Sequence, residues 1–195
     1  MLLHLMLALL ATGTSPAEAG RHTAPADPVR VVDLAGKSVN PLVLPPGRTA
    51  TVLIFTTTDC PISNRYAPDI QALAAKFQKQ GIVFTLVYPV STDTPAVIRE
   101  HVKKFGYAMP VVRDTVQELV RHTGVTVTPE VAVIGPGGRV LYRGRIDDRY
   151  LDFGKDRPQP TERTLERALE AVLQGKPVPV RETQAVGCFL VDLTK

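Results

Sequence analysis

The feature that most restricts the fold is an uninterrupted apolar run within residues 49–57. It contains Thr-Val-Leu-Ile-Phe, which combines β-branched and aromatic side chains with no charge among them. Such a run is typical of a strand that is buried on both faces of a parallel sheet. Asp-Cys-Pro at residues 59–61 ends the run, and the apolar spacing after it predicts one helix to about Gln80, stopped by Gly81.

The rest of the chain continues this alternation of strands and helices. Residues 82–88 form a second buried run, and residues 94–106 have the pattern of another helix. Residues 130–134 and 139–142 enclose a glycine-rich turn, as in an antiparallel hairpin. With a small hairpin predicted within residues 29–44, the order indicates one α/β domain. Its central mixed sheet is expected to be parallel in the first half and antiparallel in the second, with helices on both faces.

Composition excludes several classes of protein. Apolar residues make up 44% and charged residues 22% of the chain, which argues against a disordered or fibrous protein. No run of about 18 apolar residues is present, which argues against a multi-pass membrane protein. The net charge of +4 is scattered along the chain, so we expect no nucleic-acid partner. Two cysteines are too few for a disulfide scaffold or a four-thiolate zinc site, and we expect neither a metal nor another cofactor.

The first nineteen residues have the pattern of an export signal. Residues 1–11 are mostly Leu, Met and Ala, and residues 17–19 are an A-x-A cleavage motif, although no Lys or Arg precedes them. We therefore expect a signal peptide at residues 1–19 and a tether at residues 20–28. The mature chain is expected to be exported, either periplasmic or secreted, with no membrane span. Disulfides persist in such compartments, so both cysteines are treated as oxidisable.

Cys60 is the first candidate for chemistry. It lies between the first central strand and a helix, at the sheet edge where sites of open α/β proteins concentrate. Backbone N–H groups at a helix start stabilise a thiolate, whereas the neighbouring Asp59 disfavours a second anion. Pro61 fits the first helical position because its missing N–H would have no partner there. We expect a moderately lowered pKa and a reactive thiol; a buried, inert cysteine is the alternative.

Three motifs resemble the thioredoxin superfamily over most of the mature chain. Cys60-Pro-Ile-Ser63 stands where that family has its redox C-x-x-C, and Pro68 matches the kink proline of its first helix. Thr128-Pro129, just before a strand, is similar to the cis-proline loop that packs against the active-site cysteine. The leading hairpin and the tail resemble the redoxin group, with its peroxiredoxins (alkyl hydroperoxide reductase/thiol-specific antioxidant type) and TlpA-like exported thioredoxins.

The resemblance implies a thioredoxin-like domain at residues 29–180 and a tail at residues 181–195. The chain departs from thioredoxins at Ser63, because a hydroxyl can hydrogen-bond a thiolate but cannot attack a disulfide. The other thiol is Cys188 in the tail, and the glycine before it would permit a close approach to the active-site edge. A bond between Cys60 and Cys188 would be either catalytic or a structural cross-link.

The first function implied is thiol–disulfide exchange. Cys60 would be the nucleophile, and Cys188 or an external thiol reductant would resolve the mixed disulfide. The substrates would be protein or small-thiol disulfides. Thr128 and Pro61 would lie beside the substrate, and Arg145, in a polar loop, would hold a substrate carboxylate at the rim. A salt-bridged structural loop is the alternative interpretation for Arg145.

The second function is a peroxiredoxin-type peroxidase. That group uses P-x-x-x-T-x-x-C, in which the threonine orients the peroxide and the proline shields the thiolate. The chain has Thr57 at the threonine position but Leu53 at the proline position. The peroxidase motif is therefore half complete.

The third function is a copper-handling or partner-binding redoxin that is not an enzyme. Cu(I) favours thiolate and thioether ligands, and the conceivable donors are Cys60, Cys188, Met109 and His22. Copper-assembly redoxins, however, use C-x-x-x-C, and Asn64 stands at the second cysteine position of that motif.

Overall fold

The computed structural model describes residues 29–191. The signal peptide and tether predicted at residues 1–28 lie outside this part of the chain. Within it, no helix has the length and apolar character needed to cross a membrane.

Short strands and helices alternate along the described chain. The helices are α1 (Pro61–Arg65), α2 (Ala67–Phe77), α3 (Pro95–Phe105), α4 (Glu118–Thr123) and α5 (Thr164–Leu173). The strands are β1 (Val31–Asp33), β2 (Ser38–Val39), β3 (Ala50–Phe55), β4 (Ile82–Tyr88), β5 (Val111–Arg113), β6 (Val127–Thr128), β7 (Glu130–Ile134), β8 (Val140–Gly144), β9 (Tyr150–Asp152), β10 (Lys155–Asp156) and β11 (Cys188–Phe189).

Seven of these strands form the central mixed sheet, in the order β2-β1-β5-β4-β3-β7-β8. Strands β3, β4 and β5 are parallel, and β7 and β8 continue the sheet antiparallel. The mixed sheet and the N-terminal hairpin of β1 and β2 are thus confirmed. One detail differs from the expectation, because β1 also pairs antiparallel with β5. The parallel strands therefore lie in the centre, with antiparallel strands on both sides.

Strand β3 is buried on both faces, as its sequence predicts. Val52 and Ile54 belong to the larger core cluster, which also contains apolar residues of α2, α3 and α5. Leu53 and Phe55 belong to the second cluster, with Leu119 of α4. Because successive side chains of a strand point to opposite faces, these two clusters place helices on both faces of the sheet.

The helix predicted from Cys60 to about Gln80 is interrupted in the structure. Helix α1 ends at Arg65, Tyr66 caps it, and α2 begins at Ala67. Pro68 explains the break, since it has no N–H to donate to the carbonyl four residues earlier. The last turn, Gln78–Gln80, is a 3₁₀ helix. The single helix was a wrong expectation, although Pro68 marks the place of the kink.

The tail after α5 returns along β8 to β6. The amide of Arg143 donates to the Arg181 carbonyl, and the amide of Thr183 donates to the Arg143 carbonyl. Further on, β11 pairs antiparallel with β6, with Cys188 opposite Thr128. The tail therefore folds back over the edge of the sheet where Cys60 lies.

Candidate active site

Cys60 lies where the central sheet, α1 and the loop before β7 meet. It is the N-terminal cap residue of α1, with Pro61 at the first helical position, as predicted. The peptide bond between Thr128 and Pro129 is cis, which confirms the resemblance to the cis-proline loop. The Cys60 thiol donates a hydrogen bond to the Thr128 carbonyl over 3.0 Å. The predicted nucleophile is therefore in contact with the cis-proline loop.

Cys188 covers this cysteine from the tail. The two residues are 128 positions apart in sequence, yet their sulfur atoms lie 2.7 Å apart, with the Cys188 thiol donating to the Cys60 sulfur. Both cysteines are free thiols in the structure. The fold thus brings together the two sulfurs that the sequence offers for a redox cycle.

Gly187 permits this approach, as the sequence predicts. A Cβ atom at this position would overlap the Thr128 carbonyl oxygen, and it would lie 2.6 Å from the Thr128 carbonyl carbon and 3.1 Å from the Pro129 nitrogen. No real Cβ tolerates such contacts with backbone atoms. The requirement for glycine here comes from the contact with the cis-proline loop.

The start of the tail is held by charged and polar groups. Arg143 of β8 forms ion pairs with Glu130 and with Glu182 of the tail. The Tyr142 hydroxyl and the Arg145 amide both bond the Thr183 hydroxyl, over 2.7 and 3.1 Å. The tail is therefore anchored several residues before it reaches Cys60.

The surroundings of Cys60 favour its thiolate. Burial raises the pKa of the Cys60 thiol, but the Cys188 thiol, the Ser63 hydroxyl and the backbone N–H groups of Ser63 and Cys188 outweigh burial, so the pKa lies below its ordinary value. While Cys60 is a thiol, the buried Ser63 hydroxyl has no hydrogen-bond partner among the described residues, so it can donate to a thiolate at Cys60. A buried hydroxyl without a partner is costly, and a thiolate at Cys60 would relieve that cost.

The pKa of Cys188 is shifted in the opposite direction. Burial, its hydrogen bond to Cys60 and the negative charges of Cys60 and Asp59 all raise the pKa of the Cys188 thiol. Of the two sulfurs, Cys60 is the one that ionises first. Asp59, which the sequence predicts to disfavour an anion beside it, raises the pKa of Cys188.

Replacing Ser63 by alanine should make Cys60 harder to ionise. The hydroxyl stabilises the thiolate, so its loss raises the pKa of Cys60 and lowers the thiolate fraction several-fold below that pKa. An ultraviolet thiolate titration in a Cys188→Ser background measures this without depending on access. Thr56→Val is the matched control, because the Thr56 hydroxyl is also buried without a partner. An unchanged Ser63→Ala titration would contradict the role given to Ser63.

The remaining predicted site residues differ in whether they lie beside the two cysteines. The Thr57 hydroxyl is buried 3.4 Å from the Thr128 hydroxyl, next to the cis-proline loop. Pro61 is exposed beside Cys60. Arg145, by contrast, forms an ion pair with Glu162. Among the described residues, no hydrogen bond or ion pair joins Arg145 to either cysteine, so its contacts match the salt-bridged loop.

A buried polar network beneath the site was not predicted from the sequence. The Tyr88 hydroxyl and His101 Nδ1 lie 2.8 Å apart, and His101 Nε2 bonds the Asn64 side chain over 2.7 Å. The Asn64 amide in turn donates to the Thr58 carbonyl, in the loop that precedes Cys60. Burial lowers the pKa of His101, so the imidazole is neutral and holds this loop by hydrogen bonds. The position of His101 on the buried face of α3, with Ile98, is the signal that could have revealed it.

A groove of about 560 Å³ opens beside the two sulfurs. Cys188 and Phe189 of the tail form one side. The loops that follow β3 and β4 form the other, because the parallel register brings the ends of these strands to the same edge. Thr58 and Asp93 join the two loops through a hydroxyl–carboxylate bond of 2.5 Å.

Of the donors considered for copper, Cys60 and Cys188 are in contact. Met109 is buried in the core, and His22 lies outside the described residues. From residue 29 to residue 191, no group of three or more His, Cys, Asp or Glu side chains could hold a metal ion.

These features define a thioredoxin-like fold with a dithiol at the cis-proline loop. The chain belongs to the Redoxin family, whose model matches residues 22–153. That match ends before the tail, so Cys188 lies outside it. The family and the fold support an oxidoreductase. No curated protein sequence matches the chain.

Solved structures share this fold at low sequence identity. An uncharacterized conserved protein from Geobacillus kaustophilus is 22% identical with a TM-score of 0.73, over 88% of this chain and 92% of that one. A hypothetical protein from Sinorhizobium meliloti 1021 is 23% identical with a TM-score of 0.69, over 83% and 88%. A secreted Mycobacterium tuberculosis disulfide oxidoreductase, homologous to E. coli DsbE, is 16% identical with a TM-score of 0.50, over 77% and 99%.

Proposed function

We propose that this protein is an exported thiol–disulfide oxidoreductase in which Cys60 is the nucleophile and Cys188 is the resolving thiol. The observation that carries the proposal is the contact of the two sulfurs, 2.7 Å apart, at the cis peptide bond before Pro129. The Cys60 pKa is lowered and the Cys188 pKa is raised, so Cys60 is the sulfur that ionises first and attacks as the thiolate.

The cycle needs two exchange steps. The Cys60 thiolate attacks one sulfur of a substrate disulfide, which forms a mixed disulfide and releases the other substrate sulfur as a thiolate. Cys188 then gives up its proton to solvent and attacks the Cys60 sulfur, so that the Cys60–Cys188 disulfide forms and the second substrate thiolate leaves. Two electrons pass from the protein to the substrate, and an external thiol reductant must return them.

The tail has to move aside in the first step, because Cys60 is only 1% exposed beneath it. Two residue pairs join β11 to β6, so opening this contact breaks a short ladder. Thr128 and Pro61 then lie beside the entering substrate, as the sequence predicts. We assign Ser63 to stabilisation of the thiolate and Pro129 to the surface against which the substrate packs.

The proposal of export depends on the A-x-A motif at residues 17–19. One structural neighbour is a secreted disulfide oxidoreductase, which agrees with such a compartment. A redox cycle between two cysteines also fits a compartment in which disulfides persist.

The contacts of Cys60 favour exchange over peroxidase chemistry. Leu53, at the position of the peroxiredoxin proline, is buried within β3. The Thr57 hydroxyl contacts Thr128, and no hydrogen bond or ion pair among the described residues joins an arginine to Cys60. Peroxiredoxins also place an arginine against the thiolate, so the described site lacks two of the parts that the peroxidase resemblance would require.

The test is turnover of the purified protein on a peptide disulfide, with dithiothreitol as the electron source. We expect the Cys60–Cys188 disulfide to appear when substrate is in excess and to disappear in dithiothreitol, as followed by mass spectrometry. A quantitative disulfide that resists dithiothreitol would instead indicate a structural cross-link. Rapid sulfenylation of Cys60 by peroxide without exchange activity would indicate the peroxidase, and tight Cu(I) retention without either activity would indicate copper handling.

A further inference from the structure

We propose that the reductant that restores the dithiol enters through Cys188 and not through Cys60. In the oxidised protein, an incoming thiolate attacks the Cys188 sulfur from the groove formed by the tail and the loops after β3 and β4. This inference rests on the proposed function, since it assigns the second half of that cycle to a different sulfur and a different surface.

Access is the first argument. Of the two cysteines, only Cys188 lines the groove, together with Thr57, Thr58 and Phe189. Cys60 lies below it, 1% exposed, in contact with the Thr128 carbonyl. With the tail in place, a thiol from solvent meets Cys188 first.

The leaving group is the second argument. Attack on Cys188 expels Cys60, whose thiolate is received by the Ser63 hydroxyl and by backbone N–H groups. Attack on Cys60 would expel Cys188, whose thiolate is opposed by burial and by the charge of Asp59. A thiol of lower pKa leaves faster, so the leaving group favours the same sulfur as access does.

The step balances as two exchanges. The first thiolate of the donor forms a disulfide with Cys188 and breaks the Cys60–Cys188 bond, which leaves Cys60 as a thiolate. A second donor thiolate attacks the donor sulfur of this mixed disulfide. The donor leaves as a disulfide, oxidised by two electrons, and Cys188 takes up a proton to become the thiol.

The lining of the groove indicates the class of donor. Asp59 and Asp93 contribute two carboxylates, and no described residue that lines the groove is basic. Val97, Phe189 and Val191 also line the groove, and they are 43%, 80% and 75% exposed to solvent. The donor that fits is a cysteine of a peptide with apolar or basic neighbours, and an acidic thiol such as glutathione is disfavoured.

The test maps the first adduct on the full, oxidised chain. Protein carrying the Cys60–Cys188 disulfide is mixed with limiting 2-mercaptoethanol, quenched with acid at short times, and its free thiols are blocked with a maleimide. Peptide mass mapping should place the mercaptoethanol adduct on Cys188 and the maleimide on Cys60, with a preference of about tenfold or more.

Each outcome has a separate meaning. An early adduct on Cys60 with a blocked Cys188 would overturn this inference and leave the proposed function intact. Failure of the protein to form a reducible Cys60–Cys188 disulfide at all would overturn the proposed function, and the inference with it.

A second arm tests the charge of the groove with three thiols of similar size. The rates are measured at low salt and equal thiolate concentration, and they are corrected for the different basicities of the three thiols. Cysteamine should then react fastest, 2-mercaptoethanol next and 3-mercaptopropionate slowest, with about a threefold difference between successive thiols. Asp59→Asn should narrow this spread, whereas Glu170→Gln, which removes a charge on α5, should not. Equal rates for the three thiols would overturn the assignment of the donor class.

Discussion

A methyl group at position 187 should detach the tail from the active site. In Gly187→Ala, the new Cβ overlaps the Thr128 carbonyl and contacts the Pro129 nitrogen. These are backbone atoms of the cis-proline loop, so they cannot rotate out of the way as a side chain could. The tail has to shift, and the effective concentration of Cys188 at Cys60 falls. We expect the Cys60–Cys188 disulfide to become about 100-fold easier to reduce, which corresponds to a rise of about 60 mV in reduction potential.

Equilibration of wild type and variant in graded dithiothreitol buffers measures this change. Gly135→Ala is the control, because Gly135, like Gly187, has no positive φ, and the atoms nearest to a Cβ there belong to the Leu141 side chain and not to backbone. In the reduced protein, Gly187→Ala should also speed the alkylation of Cys60, since the cover over it is lost. A Gly187→Ala protein with the wild-type potential would contradict the inference that this glycine contact places the tail.

Local sequence patterns were sufficient to predict the centre of the fold and the position of Cys60 at its edge. The unbroken apolar run that became β3 can only be buried on both faces, and a strand of that kind fixes a parallel sheet around it. Cys60 follows at the end of this strand. Its position therefore depends on neighbouring residues alone, which is why sequence reasoning reaches it.

The path of the tail depends on contacts that no local pattern encodes. Arg143 and Glu182 are 39 residues apart, and Cys60 and Cys188 are 128 apart. Spacing along the chain does not show which of many charged residues will pair at such distances. The glycine before Cys188 was the one local signal, because only a close approach of backbone atoms explains a glycine that has no positive φ.

Arg145 and His101 illustrate the same limit in opposite directions. A charged residue in a polar loop near the site resembles a substrate contact, but the loop supplies its partner, Glu162. A histidine within a helix is commonly solvated or half-buried, but His101 lies on the inner face of α3 and bonds Tyr88 and Asn64. In both cases the side chain's role is decided by neighbours that only the tertiary fold provides.

Glu130 joins β6 to Arg143, which holds the start of the tail. Burial raises the pKa of its carboxyl group, although the amides of Thr126 and Val127 and the charge of Arg143 oppose that rise. By accepting these two amide hydrogen bonds, the carboxylate holds the backbone at the start of β6, the strand that pairs with Cys188. Arg143 forms ion pairs with both Glu130 and Glu182. One side chain therefore links β6, through Glu130, to the beginning of the tail.

Loss of either cysteine should lower turnover of the peptide disulfide, but each loss acts at a different step of the cycle. Cys60→Ser removes the nucleophile, and we expect peptide-disulfide turnover to fall about 1,000-fold or more, to the uncatalysed level. Cys188→Ser keeps the nucleophile and removes the resolving thiol. With substrate in excess, it should accumulate a mixed disulfide on Cys60, visible by mass spectrometry, and turn over only as fast as external thiol resolves it. Equal turnover of Cys188→Ser and wild type would contradict the resolving role.

A compensating variant separates the chemistry from effects on folding. The Ser63 side chain is buried next to Cys60, at the position where thioredoxins carry their resolving cysteine. Ser63→Cys in the Cys188→Ser background therefore returns a second thiol to the site without the tail. We expect this double variant to release the trapped substrate and to recover turnover at least tenfold over Cys188→Ser, because an adjacent thiol acts at a high effective concentration. No recovery, in a protein that unfolds at the wild-type temperature, would mean that resolution requires the geometry of the tail and not simply a second sulfur.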